Sequence, residues 1–291
     1  MMNKVIVITG QTATGKTSLA LKYAKEQNGE LINADSRQVY EKLDIVTGKD
    51  LQKLKSSGIP LHLFDIVDSK EEFSSFDYIK KAQVVVEDIV KRGKTPIIVG
   101  GTYFYIQHLL YGHDTEGIGA DQKLREDLNQ KTVSQLQKIL TQSINRLSQK
   151  NTMNQSDWNN PRRLIRKIEI LSSGDNTLTR EHVTPLIKQF DIEMVGLRFS
   201  KKETLLEKVI ERVNSRLKEG AVEEVKNLLK QGYTTGDPGL KTIGYKQLIS
   251  YLMGAQTKDE AIAEWISKEV QYAKRQYTFM KKDTLIVWQN V

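Results

Sequence analysis

Chemistry concentrates near the N-terminus of this sequence. Gly10-Gln11-Thr12-Ala13-Thr14-Gly15-Lys16-Thr17 has the Gly-x4-Gly-Lys-Thr spacing of a P-loop. Glycine at both ends lets the backbone curl until several N–H groups converge on phosphate oxygens. Lys16 adds a point charge, and the Thr17 hydroxyl can hold Mg2+. The loop specifies a diphosphate as the ligand group but not a reaction. A second candidate, Asp35, lies in Asn33-Ala34-Asp35-Ser36-Arg37-Gln38-Val39-Tyr40. Its carboxylate suits a magnesium ligand or a general base, and Asp35 and Ser36 equally suit capping of a following turn. Enzymes that move a γ-phosphate also need a carboxylate on a neighbouring strand for Mg2+. The best such strand, Thr95–Val99, ends instead in Gly100-Gly101-Thr102, leaving Asp65 or Asp35 as substitutes. This departure points away from ordinary nucleotide hydrolysis, even though ATP is the usual occupant of such a loop.

These residues need a frame. An apolar run, Val5–Ile8, precedes the loop, and Leu19, Ala20, Tyr23 and Ala24 follow it at helical spacing from Lys16 to about residue 26. Short strands are predicted at Glu30–Asn33, Leu61–Val67 and Thr95–Val99, with a helix over Phe76–Lys91. This alternation predicts an α/β fold, a P-loop NTPase-like parallel sheet flanked by helices. Ligands of open α/β sheets bind beyond the carboxyl ends of the strands, which puts Asp35 on the same rim as the P-loop. Between residues 112 and 189 the apolar spacing fits helices alone. Asp191–Leu197 reads as a strand, Lys202–Glu219 as a long basic helix, Asp259–Lys281 as a C-terminal helix and Thr284–Trp288 as a last strand. The expected organisation is a catalytic core of 1–113 and 190–291, with an all-helical subdomain inserted over 114–189.

The 291 residues carry a net charge of +8, which suits a polyanionic partner. Cysteine is absent, so disulfides, thiol nucleophiles and cysteine-based zinc sites are excluded. His62, His108, His113 and His182 show no metal-ligand spacing. No apolar run approaches the roughly 20 residues that span a bilayer. The first strand begins almost at residue 1, without a signal region. A cytoplasmic protein with no membrane contact is expected.

Seven stretches together resemble one family, in order and nearly end to end. They are Gly10–Thr17, Asp35–Tyr40, Asp44–Lys49, Gly100–Tyr105, Asn160–Arg166, Gly244–Lys246 and Ala273–Thr278. The family is that of the tRNA dimethylallyltransferases, also called tRNA isopentenyltransferases, of bacterial type. The resemblance implies transfer of a dimethylallyl group from dimethylallyl diphosphate to N6 of the adenosine 3′ of the anticodon. The products would be N6-dimethylallyladenosine and diphosphate, with Mg2+ as cofactor. It assigns the base to Asp35 and a catalytic arginine to Arg212, beside Lys16 and Thr17. Gly10, Gln11, Thr12, Ala13, Thr14, Gly15, Lys16 and Thr17 would hold the diphosphate, with Thr17 on the metal. The anticodon stem-loop would meet Asp35, Ser36, Arg37, Gln38, Thr102 and Arg125. It would also meet Arg162, Arg163, Arg166, Lys274 and Arg275, and a monomer is expected.

Plainer readings stand beside these. Lys208, Arg212 and Arg216 recur every four residues, as a solvated helix face would. Arg162 and Arg166 share the outer face of their helix and also suit ordinary surface positions. A small-molecule or nucleotide kinase is the alternative enzyme, and a non-catalytic RNA-binding NTPase switch the alternative without chemistry. The chain departs from the family pattern at Phe279, where Trp is usual, and at Val270, where Arg is frequent. It departs again at Lys167, where Ala is common, and at Arg216, where Met is common.

Overall fold

A computed structural model describes residues 2–112, 121–173 and 184–291. The chain divides into two compact units, one of residues 1–112 and 184–291 and the other of residues 113–183. Residues 184–189, expected within the insertion, fall with the larger unit, where Leu186 is fully buried.

The larger unit is built on six strands: β1 (Lys4–Gly10), β2 (Gly29–Asn33), β3 (Leu61–His62), β4 (Thr95–Val99), β5 (Asp191–Arg198) and β6 (Ile286–Asn290). Their order across the sheet is β3-β2-β4-β1-β5-β6, and every pairing is parallel. The run Val5–Ile8 is wholly buried, as a central parallel strand covered on both faces must be. Around the sheet lie α1 (Lys16–Glu26), α2 (Leu51–Ser56), α3 (Ser75–Lys91) and α4 (Tyr103–Tyr111). The predicted strand Leu61–Val67 is cut to two residues because Leu63 and Asp65 take positive φ (63° and 51°), which no strand accommodates. Val67 retains a single parallel bridge, to Tyr40.

The smaller unit is described over residues 121–173. It holds α5 (Gln122–Asn129), α6 (Val133–Arg146), α7 (Gln155–Trp158) and α8 (Pro161–Ser172). Leu128, Leu136, Leu140, Leu164 and Ile168 form its core at the expected helical spacing. Asn160 caps α8 through its side chain, and Pro161 sits in the first turn, where its missing N–H has no cost.

Helices α9 (Lys202–Lys218), α10 (Ala221–Lys230), α11 (Tyr245–Leu252) and α12 (Lys258–Met280) complete the larger unit. α12 packs on α9 and α11. Thr257 and Glu260 start α12 with a capping box. One stripe of α12 is buried, and it contains two polar residues: Ala261, Trp265, Glu269, Ala273, Gln276 and Met280.

Candidate active site

Backbone constraint builds the P-loop first. Gly10 ends β1 with φ of 138°, and a Cβ there would collide with the Leu197 carbonyl on β5. Thr14 Oγ1 donates to the Gln11 carbonyl (2.7 Å), closing the loop on itself. Gln11 anchors it outward, donating to the Ala273 carbonyl on α12 (3.3 Å) and accepting from Phe199 N–H (3.0 Å). α1 then begins directly after Gly15, so its unpaired N–H groups face the loop. Lys16 Nζ folds back to donate to the Gln11 (2.6 Å) and Gly10 (3.2 Å) carbonyls. Burial, then the positive charge of Arg212, pull the Lys16 ammonium down to about 8, against the pull of Asp35 and Glu269.

Gln276, on α12, joins the P-loop to the far side of the cleft. Its Oε1 accepts from Thr12 N–H (2.9 Å) while its Nε2 donates to the Gly101 carbonyl (2.9 Å). Thr102 ties the same loop to the segment after β2, accepting from Ser36 N–H (2.9 Å) and donating to Ser36 Oγ (3.2 Å). Asp35 sits between these ties. Its N–H donates to Asn33 Oδ1 (3.0 Å), and its Oδ1 accepts from Arg37 N–H (2.9 Å), which fixes the carboxylate. The capping reading is thus met by a local turn, and no helix follows.

Two adjoining cavities open here. The smaller, about 110 Å3, is lined by the P-loop residues Gly15, Lys16 and Thr17, with Asp35, Asp50 and Arg212. The larger, about 580 Å3, is lined by Asp35, Arg37, Tyr103, Phe104, Arg275 and Phe279, among others. Thr12, Asp35, Gly101, Arg212, Tyr272 and Gln276 line both. Asp35 therefore stands where the polar chamber meets the more aromatic one. The Tyr272 hydroxyl is pushed up, first by burial and then by Asp35, while its hydrogen bond to Thr102 opposes the shift. Phe279 meets Tyr103 edge to face at 5.3 Å and makes an aromatic wall.

The solvated-face reading of α9 holds for Lys208 alone, which is exposed and pairs with Glu211 (2.7 Å). Arg212 is half-buried, and Arg216 is 4% exposed. Both donate to the Thr47 carbonyl, at 3.4 and 3.2 Å. Arg216 also pairs with Glu269 (3.1 Å). The Nε of Arg212 is buried with no hydrogen-bond partner among the described residues. A guanidinium with an unsatisfied buried donor, lining a cavity that also holds Lys16, is suited to an anion.

Other sequence candidates are placed differently. Ser36 and Gln38 lie on the same rim as Asp35, and Gln38 Nε2 donates to the Gly48 carbonyl (3.0 Å). Lys274 is exposed on α12, and its neighbour Arg275 lines the larger cavity. Asp65, a substitute metal ligand by sequence, pairs with the fully buried Lys49, as does Asp44 (2.7 Å). In the smaller unit, Arg125 and Arg166 both bond to the buried Glu169, at 2.6 and 3.3 Å. Arg163 pairs with Asp157, and Arg162 is exposed. Sequence reading missed Asp50, Tyr272, Glu269 and the roles of Arg216 and Gln276. Arg216 and Glu269 were detectable in principle, since each falls on the apolar stripe of its own helix.

The chain was compared with known proteins. A family model described as IPP transferase matches residues 38–283. A tRNA dimethylallyltransferase of Caldanaerobacter subterraneus subsp. tengcongensis is 35% identical, over 99% of this chain and 92% of the relative. One from Anoxybacillus flavithermus is 37% identical, over 99% and 90%. The crystal structure of a tRNA isopentenylpyrophosphate transferase from Bacillus halodurans superposes with a TM-score of 0.72 at 31% identity, covering 99% of this chain and 90% of that one. A eukaryotic dimethylallyltransferase described as acting on tRNA superposes with a TM-score of 0.78 at 29% identity, covering 99% and 74%.

Proposed function

This chain belongs to the IPP transferase family, and we propose that it transfers a dimethylallyl group from dimethylallyl diphosphate to N6 of the adenosine 3′ of the anticodon in tRNA. One observation supports this chemistry best. Asp35 lies at the junction of a cation-lined chamber and a larger aromatic one, with Lys16 and Arg212 on the chamber side. The diphosphate fits among the P-loop N–H groups, Lys16 and the Arg212 guanidinium. N6 of the adenine attacks C1 of the dimethylallyl group. The C1–O bond breaks, and its electron pair leaves on the diphosphate. Asp35 takes the proton from N6. Charge grows on the leaving oxygen in the transition state, where Lys16 and Arg212 stabilise it most.

Magnesium fits this donor set. Thr17 and Asp50 line one small chamber with hard oxygen donors, and Mg2+ commonly takes one or two carboxylates plus substrate phosphates. When bound, it would neutralise charge on the diphosphate.

RNA must splay the target base into the larger cavity. Arg37 and Arg275 at that cavity suit the flanking phosphates, with Ser36, Gln38 and Thr102 on the same rim and Lys274 exposed nearby on α12. In the smaller unit, Arg162 and Arg163 offer exposed guanidiniums to the anticodon stem, and Arg125 and Arg166 add charge around Glu169. Among the described residues, no helix is long and apolar enough to cross a membrane.

The test is direct. The protein is incubated with tRNA, Mg2+ and dimethylallyl diphosphate, and the digested RNA is searched by mass for N6-dimethylallyladenosine. Absence of that nucleoside, with ATP consumed in the presence of an acceptor, would instead identify a kinase.

A further inference from the structure

Two guanidiniums stand side by side at this site, and only one faces the diphosphate chamber. Arg212 and Arg216 are one helical turn apart on α9, and both donate to the same Thr47 carbonyl. The turn that carries this carbonyl is shaped for close approach. Gly48 has φ of 66°, and a Cβ there would lie 2.6 and 2.7 Å from the Nη2 atoms of Arg216 and Arg212. Arg212 lines both cavities, whereas Arg216 lines only the larger. Two cations this close repel, and Arg216 is almost fully buried. Some group must offset the charge of Arg216.

That group is Glu269. Its Oε1 accepts from Arg216 Nη1 (3.1 Å) and from Trp265 Nε1 (3.3 Å). Trp265 is fully buried, and its ring lies 5.9 Å from the Arg216 guanidinium. Glu269 is thus itself locked on the buried stripe of α12. Asp50 is the other acidic group acting on Arg216. Burial, then Arg212, pull the Arg216 guanidinium down to about 10, and Glu269 works against that shift.

We propose that Glu269 is a positioning residue: by engaging Arg216 Nη1 it relieves the repulsion between the two guanidiniums and keeps Arg212 where it lines the diphosphate chamber. This rests on the assignment of Arg212 to the diphosphate. Glu269 needs no contact with substrate for this role. Without it, the buried guanidinium of Arg216 loses its ion-pair partner and repels Arg212 unopposed across the carbonyl they share.

The experiment measures kcat for prenyl transfer, the Kd of inorganic diphosphate and the Kd of tRNA. Glu269→Gln is expected to lower kcat about tenfold or more, as loss of one aimed donor does, with tRNA affinity unchanged. Adding Arg216→Met removes the cation that needed holding, so Glu269→Gln/Arg216→Met should return to within about threefold of wild type. In an Arg212→Met background, Glu269→Gln should add no further loss. The double variant leaves no unpaired buried charge, so its turnover decides the matter even if Glu269→Gln alone folds poorly. The proposal is overturned by wild-type kcat in Glu269→Gln, or by the same loss persisting in both backgrounds. A wild-type diphosphate Kd in Arg212→Met would instead remove the assignment on which the proposal stands.

Discussion

On the proposed function, Lys16 ties the stability of the protein to its affinity for diphosphate through one proton. Its ammonium is brought from 10.5 to about 8 by burial and by Arg212. That difference corresponds to at most about 3 kcal/mol against the charged form, part of it screened by solvent at the cavity. The unfolded chain keeps its proton up to about 10.5, whereas the folded chain releases it near 8. Between these values the unfolded state binds more protons, so stability rises with pH through that window. A bound diphosphate reverses the preference and favours the charged lysine. Affinity is therefore full below pH 8 and falls above it. From the titration alone, binding should weaken about tenfold between pH 7 and pH 9. Diphosphate itself titrates, so the measurement compares wild type with Lys16→Met by calorimetry across this range. The affinity gap between the two should shrink about tenfold, and wild type should take up close to one proton on binding at pH 9. Denaturant unfolding should move the other way, with wild type gaining stability relative to Lys16→Met from pH 8 upward. A constant affinity gap from pH 7 to 9 would refute the reasoning, because the lysine would then carry its charge throughout.

Other side chains give further expectations. Asp35→Ala should cut turnover by at least about a hundredfold with tRNA affinity nearly intact; lost tRNA binding with unchanged single-turnover rate would show that Asp35 holds RNA and moves no proton. Gln276→Ala leaves the Thr12 N–H and the Gly101 carbonyl without their shared partner. It should destabilise the fold by about 2 kcal/mol and raise the donor KM, and an unchanged melting temperature would contradict this. Glu30 is 1% exposed and bonds to Arg92, Lys94 and His62, and the Arg92 guanidinium above all holds its carboxyl down to about 2. Its stabilisation is complete above about 4.5 and is lost as pH falls toward 2. Glu30→Gln should therefore melt below wild type at pH 7, with the gap closing from pH 5 to pH 3; a gap independent of pH would refute the linkage.

The sheet was legible because its strands obey one rule. Parallel strands covered on both faces read as unbroken apolar runs, and Val5–Ile8 and Ile97–Val99 do so. The P-loop and Asp35 were legible because strand ends and glycines mark the rim. The strand Leu61–Val67 was overextended because hydropathy carries no sign of φ, and Leu63 and Asp65 turn the chain without a glycine. Arg216 was misplaced for a different reason. A repeat of basic residues every four positions suggests solvent, yet Leu205, Val209, Val213 and Arg216 share one buried stripe. A periodicity reading that scores charge as surface cannot place a cation that has a partner on another helix.

Placing a cation beside others before any anion arrives has a cost, which the site meets at Lys16 and Arg216 and leaves partly unmet at Arg212. Lys16 leans on two loop carbonyls and gives up part of its hold on the proton. Arg216 is neutralised by Glu269, a carboxylate brought by α12 from 53 residues away. Arg212 has one carbonyl contact and a buried Nε without a partner. On the proposed function the anion therefore meets Lys16 and Arg212, the two cations that line the smaller chamber without a carboxylate partner. The same logic selects product over bystander. On the proposed function, an anion reaching only the larger cavity meets Arg212 and the already paired Arg216, whereas a diphosphate in the P-loop meets Arg212 together with Lys16. Charge developing on the leaving oxygens grows at that end of the cleft, so the binding preference of the free site and the demand of the transition state point to the same two side chains.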